Sequence, residues 1–214
     1  MKYHYFPIST YSQKALIALF DKGVAFVPVH VRVLDDEVKA DFRQLYPIGK
    51  IPLLETDDGT LLPESSNIIE YIDYKYGRGE RLIPTQPEAA RHVRYLDRVA
   101  DLYLNNPVVT MLFDGWKPAE QRNASAVDEA KRLLDITYKQ FDQALADHQW
   151  LAGDTFSMAD CAAIPPLFYA QKVYPYSDYS NLARYYAQAC QRRSYAAVLR
   201  EATPIWEALV ASKA

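Results

Sequence analysis

The sequence predicts an α/β first half followed by an all-helical second half, and three observations carry that prediction. Across residues 1–76, short stretches with apolar residues at every second position alternate with stretches of helical spacing. From residue 88 onward only the helical period persists. Between them, Gly77-Arg78-Gly79-Glu80 through Pro84-Thr85-Gln86-Pro87 is rich in backbone breakers and lacks periodicity. The expected domains are therefore residues 1–78 and 88–214, joined by a linker at 79–87.

In the first half, Val27, Val29, Val31 and Val33 alternate with Pro28, His30 and Arg32, giving a strand with two different faces. Pro28 assigns it to a sheet edge, because proline has no N–H to give a central ladder. Leu53-Leu54-Glu55 and Thr60-Leu61-Leu62 flank Thr56-Asp57-Asp58-Gly59, a turn sequence that accepts positive φ, and form a hairpin. Leu16, Leu19 and Phe20 mark one helix, and Ile68, Ile69 and Ile72 another that stops near Gly77. The order is βαβ, a variable segment, then ββα.

In the second half, Val93, Leu96, Ala100, Tyr103 and Leu104 form one helical stripe. Val127, Ala130, Leu134, Tyr138, Phe141 and Leu145 form a longer one. Ser157-Met158-Ala159-Asp160 has the form of a capping box, in which serine and aspartate each satisfy a backbone N–H at a helix start. Pro165-Pro166 then falls inside that helix and is expected to kink it without ending it.

Composition narrows the function. At 214 residues, half of them hydrophobic, the chain can bury a sizeable core. Lys and Arg total 24 against 27 Asp and Glu, for a formal charge of -3 with no long run of one sign, which argues against nucleic acid as a partner. The start lacks the pattern of a secretory signal, and no apolar stretch approaches the ~20 residues that span a bilayer, so a cytoplasmic location with no membrane partner is expected. Cys161 and Cys190 form no CxxC pair and no metal-spaced cluster with His4, His30, His92 or His148, so no metal is expected.

Four segments then carry a resemblance. Pro7-Ile8-Ser9-Thr10-Tyr11-Ser12-Gln13-Lys14-Ala15-Leu16 is similar to the first strand-to-helix turn of serine-type glutathione transferases, with Ser9 where their catalytic serine stands. Tyr46-Pro47-Ile48-Gly49-Lys50-Ile51-Pro52, Leu62-Pro63-Glu64-Ser65-Ser66-Asn67 and Phe156-Ser157-Met158-Ala159-Asp160 follow in the family's order and spacing. The chain thus resembles phi-, zeta- and theta-like members, which implies a thioredoxin-like first domain and a helical second domain.

The resemblance implies a function and a site. Glutathione is the implied co-substrate, and Ser9 would donate to its sulfur and favour the nucleophilic thiolate. A free thiol has a pKa of roughly 8.5, so little is ionised near neutrality without such help. Read without the neighbouring motifs, Ser9 is an ordinary N-cap. Thr10 and Ser12 are rivals for its role, and Tyr3 and Tyr5 lie earlier in the strand.

Ile51-Pro52 matches the family's cis peptide bond, beside which the backbone pairs with the cysteinyl unit. Glu64 and Ser65 suit the ammonium and carboxylate of the γ-glutamyl end. Lys50 is a candidate for the glycyl carboxylate, with Lys39 the nearest upstream base and Tyr46 in place of the common asparagine. Ile8, Tyr11, Tyr103, Met111, Phe113 and Trp116 would form an apolar wall for a small electrophile. The family is usually a homodimer, which would bring Asp97 or Asp101 toward the partner's glutathione.

Other readings are a glutathione-dependent isomerase or peroxidase and a non-catalytic carrier or interaction module of the same fold. The isomerase relatives' Ser-Ser-Cys-Ser reads Ser9-Thr10-Tyr11-Ser12 here, which weighs against that activity.

Overall fold

In the computed structural model, residues 1–32, 35–77 and 79–212 are described; Val33 of the valine series and Arg78 of the breaker-rich stretch lie outside them. The chain divides into two compact units, Met1–Gly79 with Arg193–Ser212, and Glu80–Arg192.

The first unit is built on a four-stranded mixed sheet in the order β2-β1-β3-β4, with β1 Lys2–Tyr5, β2 Val27–His30, β3 Leu53–Glu55 and β4 Leu61–Pro63. β1 runs parallel to β2 and antiparallel to β3, which pairs with β4 through the predicted hairpin. Gly59 takes φ 82° in the hairpin turn, and Asp58 receives the Thr56 hydroxyl and the Thr60 N–H. Those bonds, the Thr56 hydroxyl first, hold the Asp58 carboxyl down to about 2. β2 lies at the edge, as Pro28 requires. It ends at His30, and Val27 is 58% exposed, so the first valine of the alternation covers no core.

Three helices complete the thioredoxin-like part: α1 Thr10–Asp21, α2 Asp36–Leu45 and α3 Ser65–Lys75. The run Ala15-Leu16-Ile17-Ala18-Leu19 in α1 is buried at every position. Continuous burial means that neighbours cover the helix all round. It packs on α3 and on the last helix, α9 Arg193–Ala211. At the C-terminal end of α1, Lys22 pairs with Asp73 of α3 at 2.8 Å, both side chains buried.

The assignment of α9 differs from the sequence reading, which kept residues 88–214 together. Ser194 Oγ donates to Asp21 of α1 at 3.2 Å, and Tyr5 OH donates to Glu201 at 2.7 Å. These bonds and the contact with α1 place α9 in the first unit. The stretch read as a linker also has structure of its own, since Leu82 and Ile83 are buried and the Leu82 carbonyl accepts from Met158 N at 2.9 Å.

The second unit is helical: α4 Pro87–Val99, a π-helical segment Ala100–Asn105, α5 Asn106–Gly115, α6 Ala124–Ala144, α7 Met158–Val173 and α8 Ser180–Gln191. The stripe from Val93 to Leu104, read as one regular helix, widens to π geometry after Val99. Pro107 supplies the reason: it lacks the N–H that would bond the Tyr103 carbonyl one turn back. The Thr137 hydroxyl of α6 takes that carbonyl at 3.0 Å. α7 runs through Pro165 and Pro166 without ending.

The capping box of α7 forms as the sequence predicts. The Asp160 carboxylate accepts from Ser157 N (2.8 Å), Ser157 Oγ (2.9 Å), Leu151 N (3.0 Å) and Tyr185 OH (3.0 Å). Complete burial pushes its carboxyl up, against the pull of those four bonds. Among the described residues no helix is long and apolar enough to cross a membrane.

The substitution Asp160→Asn sets an amide NH2 against at least one of these donors and should cost about 2–4 kcal/mol of stability. Thermal and denaturant unfolding measure it; an unchanged midpoint in both would show that the box does not hold the start of α7.

Candidate functional site

The turn between β1 and α1 is held by its own chain. Ser9 N donates to Phe6 O (2.9 Å), Gln13 N to Ser9 O (2.8 Å) and Gln13 Nε2 to Pro7 O (2.7 Å). Ser9 caps α1 in an extended conformation, and its Oγ accepts from Ser12 N at 3.4 Å. Capping consumes an acceptor lone pair and leaves the hydroxyl proton for donation. The side chain is half-buried, at the positive end of α1.

The rivals fare differently. Ser12 is fully buried; its Oγ accepts from Phe6 N (3.4 Å) and its carbonyl from Tyr3 OH (2.7 Å). Tyr3 is buried, which pushes its phenol well up. The Tyr5 phenol is pushed up by burial and by its bond to Glu201. Both tyrosine protons are thus committed within the fold. Thr10 is buried at the first position of α1.

At the start of α3, Glu64 has φ 71° and ψ 123°, a conformation that a residue with a Cβ rarely adopts, and it makes no side-chain cap. It is exposed, Ser65 beside it is buried, and no acceptor meets the N–H of Ser65 or Asn67 among the described residues. The helix start therefore offers unsatisfied N–H groups and a positive dipole end next to a carboxylate. The bond Ile51-Pro52 is cis. Ile51 has no backbone hydrogen-bond partner among the described residues, just before β3 begins.

Tyr46, the C-cap of α2, stands edge-on to Phe42 and packs on the cluster of Val31, Phe42 and Leu53 together with Ile51. Its phenol is pushed up by burial first and then by the Glu64 carboxylate, so the departure from asparagine places a ring within the field of Glu64. Lys50 is exposed, and Lys39 is half-buried on α2. Sequence reasoning missed Arg43. Gly49, at φ 67°, lies so close to Arg43 that a Cβ would stand 2.8 Å from its Cγ. The signal was available: Arg43 occupies the last turn of α2, and a Pro-x-Gly turn folds the chain back on it.

The apolar candidates divide between the units. Ile8 and Tyr11 belong to the first unit and are half-buried. Tyr103, Met111, Phe113 and Trp116 belong to the second; Tyr103 and Phe113 are 46% and 43% exposed, and Phe113 meets Trp116 edge-on at 5.4 Å. Asp97 and Asp101 are buried along α4 and the π-helical segment, with Asp101 3.7 Å from Arg98. No three His, Cys, Asp or Glu side chains are grouped to hold a metal ion among the described residues.

Comparison with known proteins bears on the family of the chain. Residues 4–81 match the family profile described as glutathione S-transferase, N-terminal domain, and residues 124–188 match glutathione S-transferase, C-terminal domain. Glutathione S-transferase 2 of Saccharomyces cerevisiae is 30% identical over 77% of this chain and 73% of its own. Glutathione S-transferase GstB of Escherichia coli is 28% identical over 72% and 74%. A glutathione S-transferase from Methylobacillus flagellatus, solved with glutathione bound, superposes with a TM-score of 0.82 at 29% identity, covering 92% of this chain and 98% of its own. Gtt2 from Saccharomyces cerevisiae gives a TM-score of 0.82 at 27% identity over 93% and 100%. With both domain profiles matched in order over most of its length, the chain belongs to the glutathione S-transferase family.

Proposed function

We propose that the chain binds glutathione in its first unit, holds the sulfur as thiolate through Ser9, and transfers it to a small apolar electrophile. The observation that carries this reading is the Ser9 hydroxyl, which caps α1 with a lone pair and keeps its proton to donate. A hydrogen bond to the anionic form lowers a thiol's pKa, and a shift of about two units corresponds to roughly 3 kcal/mol of preferential stabilisation. The positive end of α1 acts in the same direction.

The remaining contacts follow from charge and geometry. The γ-glutamyl carboxylate goes to Ser65 and the first N–H groups of α3, and its ammonium to Glu64. The cysteinyl unit pairs with the Ile51 backbone beside Pro52 in the manner of an added strand. Lys50, joined by Arg43, takes the glycyl carboxylate. The second unit supplies apolar surface for the electrophile through Tyr103, Met111, Phe113 and Trp116. Assembly as a homodimer in the cytoplasm, as the family resemblance implies, completes the reading.

An ultraviolet difference titration of glutathione against wild type and Ser9→Ala tests the central step. The wild type should show a bound-thiolate band near pH 7, and Ser9→Ala should keep its binding but show the band only near the free thiol's pKa of about 8.5. Equal bands in both proteins would move the role to Thr10. Thiolate formation without turnover on aryl halides, epoxides and enones would make the protein a carrier.

Glu64 yields a second prediction. Glu64→Gly relieves the positive φ and should stabilise the ligand-free protein by up to about 1 kcal/mol, while weakening glutathione about tenfold through loss of the carboxylate. Thermal unfolding and calorimetric titration read the two effects; a destabilised protein would show that Glu64 is not strained.

A further inference from the structure

Four tyrosines meet in the second unit: Tyr138 of α6, Tyr174 at the C-cap of α7, and Tyr176 and Tyr179 in the stretch before α8. The Tyr138 ring stacks on Tyr174 at 6.2 Å and stands edge-on to Tyr176 at 5.7 Å and to Tyr179 at 5.6 Å. Tyr138 and Tyr176 are buried, which pushes both phenols up and keeps them neutral. Their hydroxyls donate to backbone carbonyls, Tyr138 to Tyr174 O at 2.9 Å and Tyr176 to Leu167 O at 3.4 Å, and a carbonyl accepts a hydrogen bond without taking the proton.

Tyr174 is placed differently. Its ring is half-buried, and its hydroxyl donates at 2.9 Å to Oδ1 of Asp135, an exposed carboxylate of α6. That bond first, and burial after it, push the phenol up, so at neutral pH it holds a proton already aimed at a base. Removing an electron from a phenol makes its proton strongly acidic, so electron loss is easiest where a carboxylate receives that proton at once. Tyr179 lies in the field of Asp135, Asp178 and Asp142 but, among the described residues, donates to none of them. Two further phenols meet a carboxylate, Tyr5 on Glu201 and Tyr185 on Asp160, and both rings are buried away from oxidants in solvent.

We infer that Tyr174 with Asp135 is a redox site for small one-electron oxidants, and that Tyr138, Tyr176 and Tyr179 return electrons less readily and pass any vacancy on to it. In the step, the oxidant radical gains one electron from the Tyr174 ring and becomes its anion. The phenolic O–H bond breaks, its proton forms a carboxylic acid on Asp135, and Tyr174 is left as a neutral phenoxyl radical. An electron vacancy formed first on Tyr138, Tyr176 or Tyr179 reaches Tyr174 through the ring contacts, one electron moving the other way. This chemistry is separate from the thiol chemistry of the first unit and does not depend on it.

The test oxidises the whole protein with azidyl radicals, made by pulse radiolysis of an azide solution, in the presence of a nitroso spin trap, and locates the adducts by tandem mass spectrometry. In wild type the adduct should concentrate on Tyr174, ahead of Tyr74, whose residue is 84% exposed. Asp135→Asn keeps an oxygen that accepts the hydroxyl but takes no proton, and it should lower the adduct at Tyr174 about fivefold. Tyr174→Phe should move the adduct to Tyr138, Tyr176 and Tyr179. Adducts that follow exposure, with Tyr74 leading, would overturn the proposal, as would an unchanged yield at Tyr174 in Asp135→Asn. Adducts concentrated on Cys190, which lies close enough to act on the Tyr176 phenol, would overturn it too. If Asp135→Asn does not fold, Tyr174→Phe decides: a gain at the three neighbouring tyrosines supports the site, and no gain overturns it.

Discussion

The burial of α1 is the constraint on which the first unit depends. Its central run has no exposed face, and it is covered by α3 and α9. Each polar group that α1 carries inward must find a defined partner, because a buried charge or donor without one costs more than it contributes. Lys22 finds Asp73, Lys14 finds Ser66, and Gln13 finds the carbonyl of Pro7. These three contacts fix the register of α1 against α3 and against the loop before it. The position of Ser9 at the start of α1 and of Ser65 at the start of α3 follows from that register, so the pair proposed to meet glutathione is set by groups outside it.

The fold was legible wherever a single residue type forces a local outcome. Pro28 excluded β2 from the sheet interior, Asp58-Gly59 closed the hairpin, and Ser157 with Asp160 built the start of α7. Legibility failed where the outcome depends on a partner distant in the chain. The buried side of α9, with Tyr195, Val198, Ala202 and Trp206, meets α1 from the other end of the chain, a pairing that only the fold shows. The π-helical segment depends on Pro107 and on a hydroxyl 34 residues from the carbonyl it takes. Val27, at the open side of an edge strand, shows that alternation marks a strand without guaranteeing that both faces are buried.

Within the candidate site the same division holds. Ser9, Ile51, Pro52, Glu64 and Ser65 were identified because they sit in short motifs. Arg43 was not, since its proximity to Gly49 is a product of the turn between them. The φ of Glu64 has no signature in sequence either, because glycine or asparagine is the residue that normally marks such a position. The mismatch between residue and backbone is itself informative, since strain of this kind is retained where the side chain is needed for something other than stability.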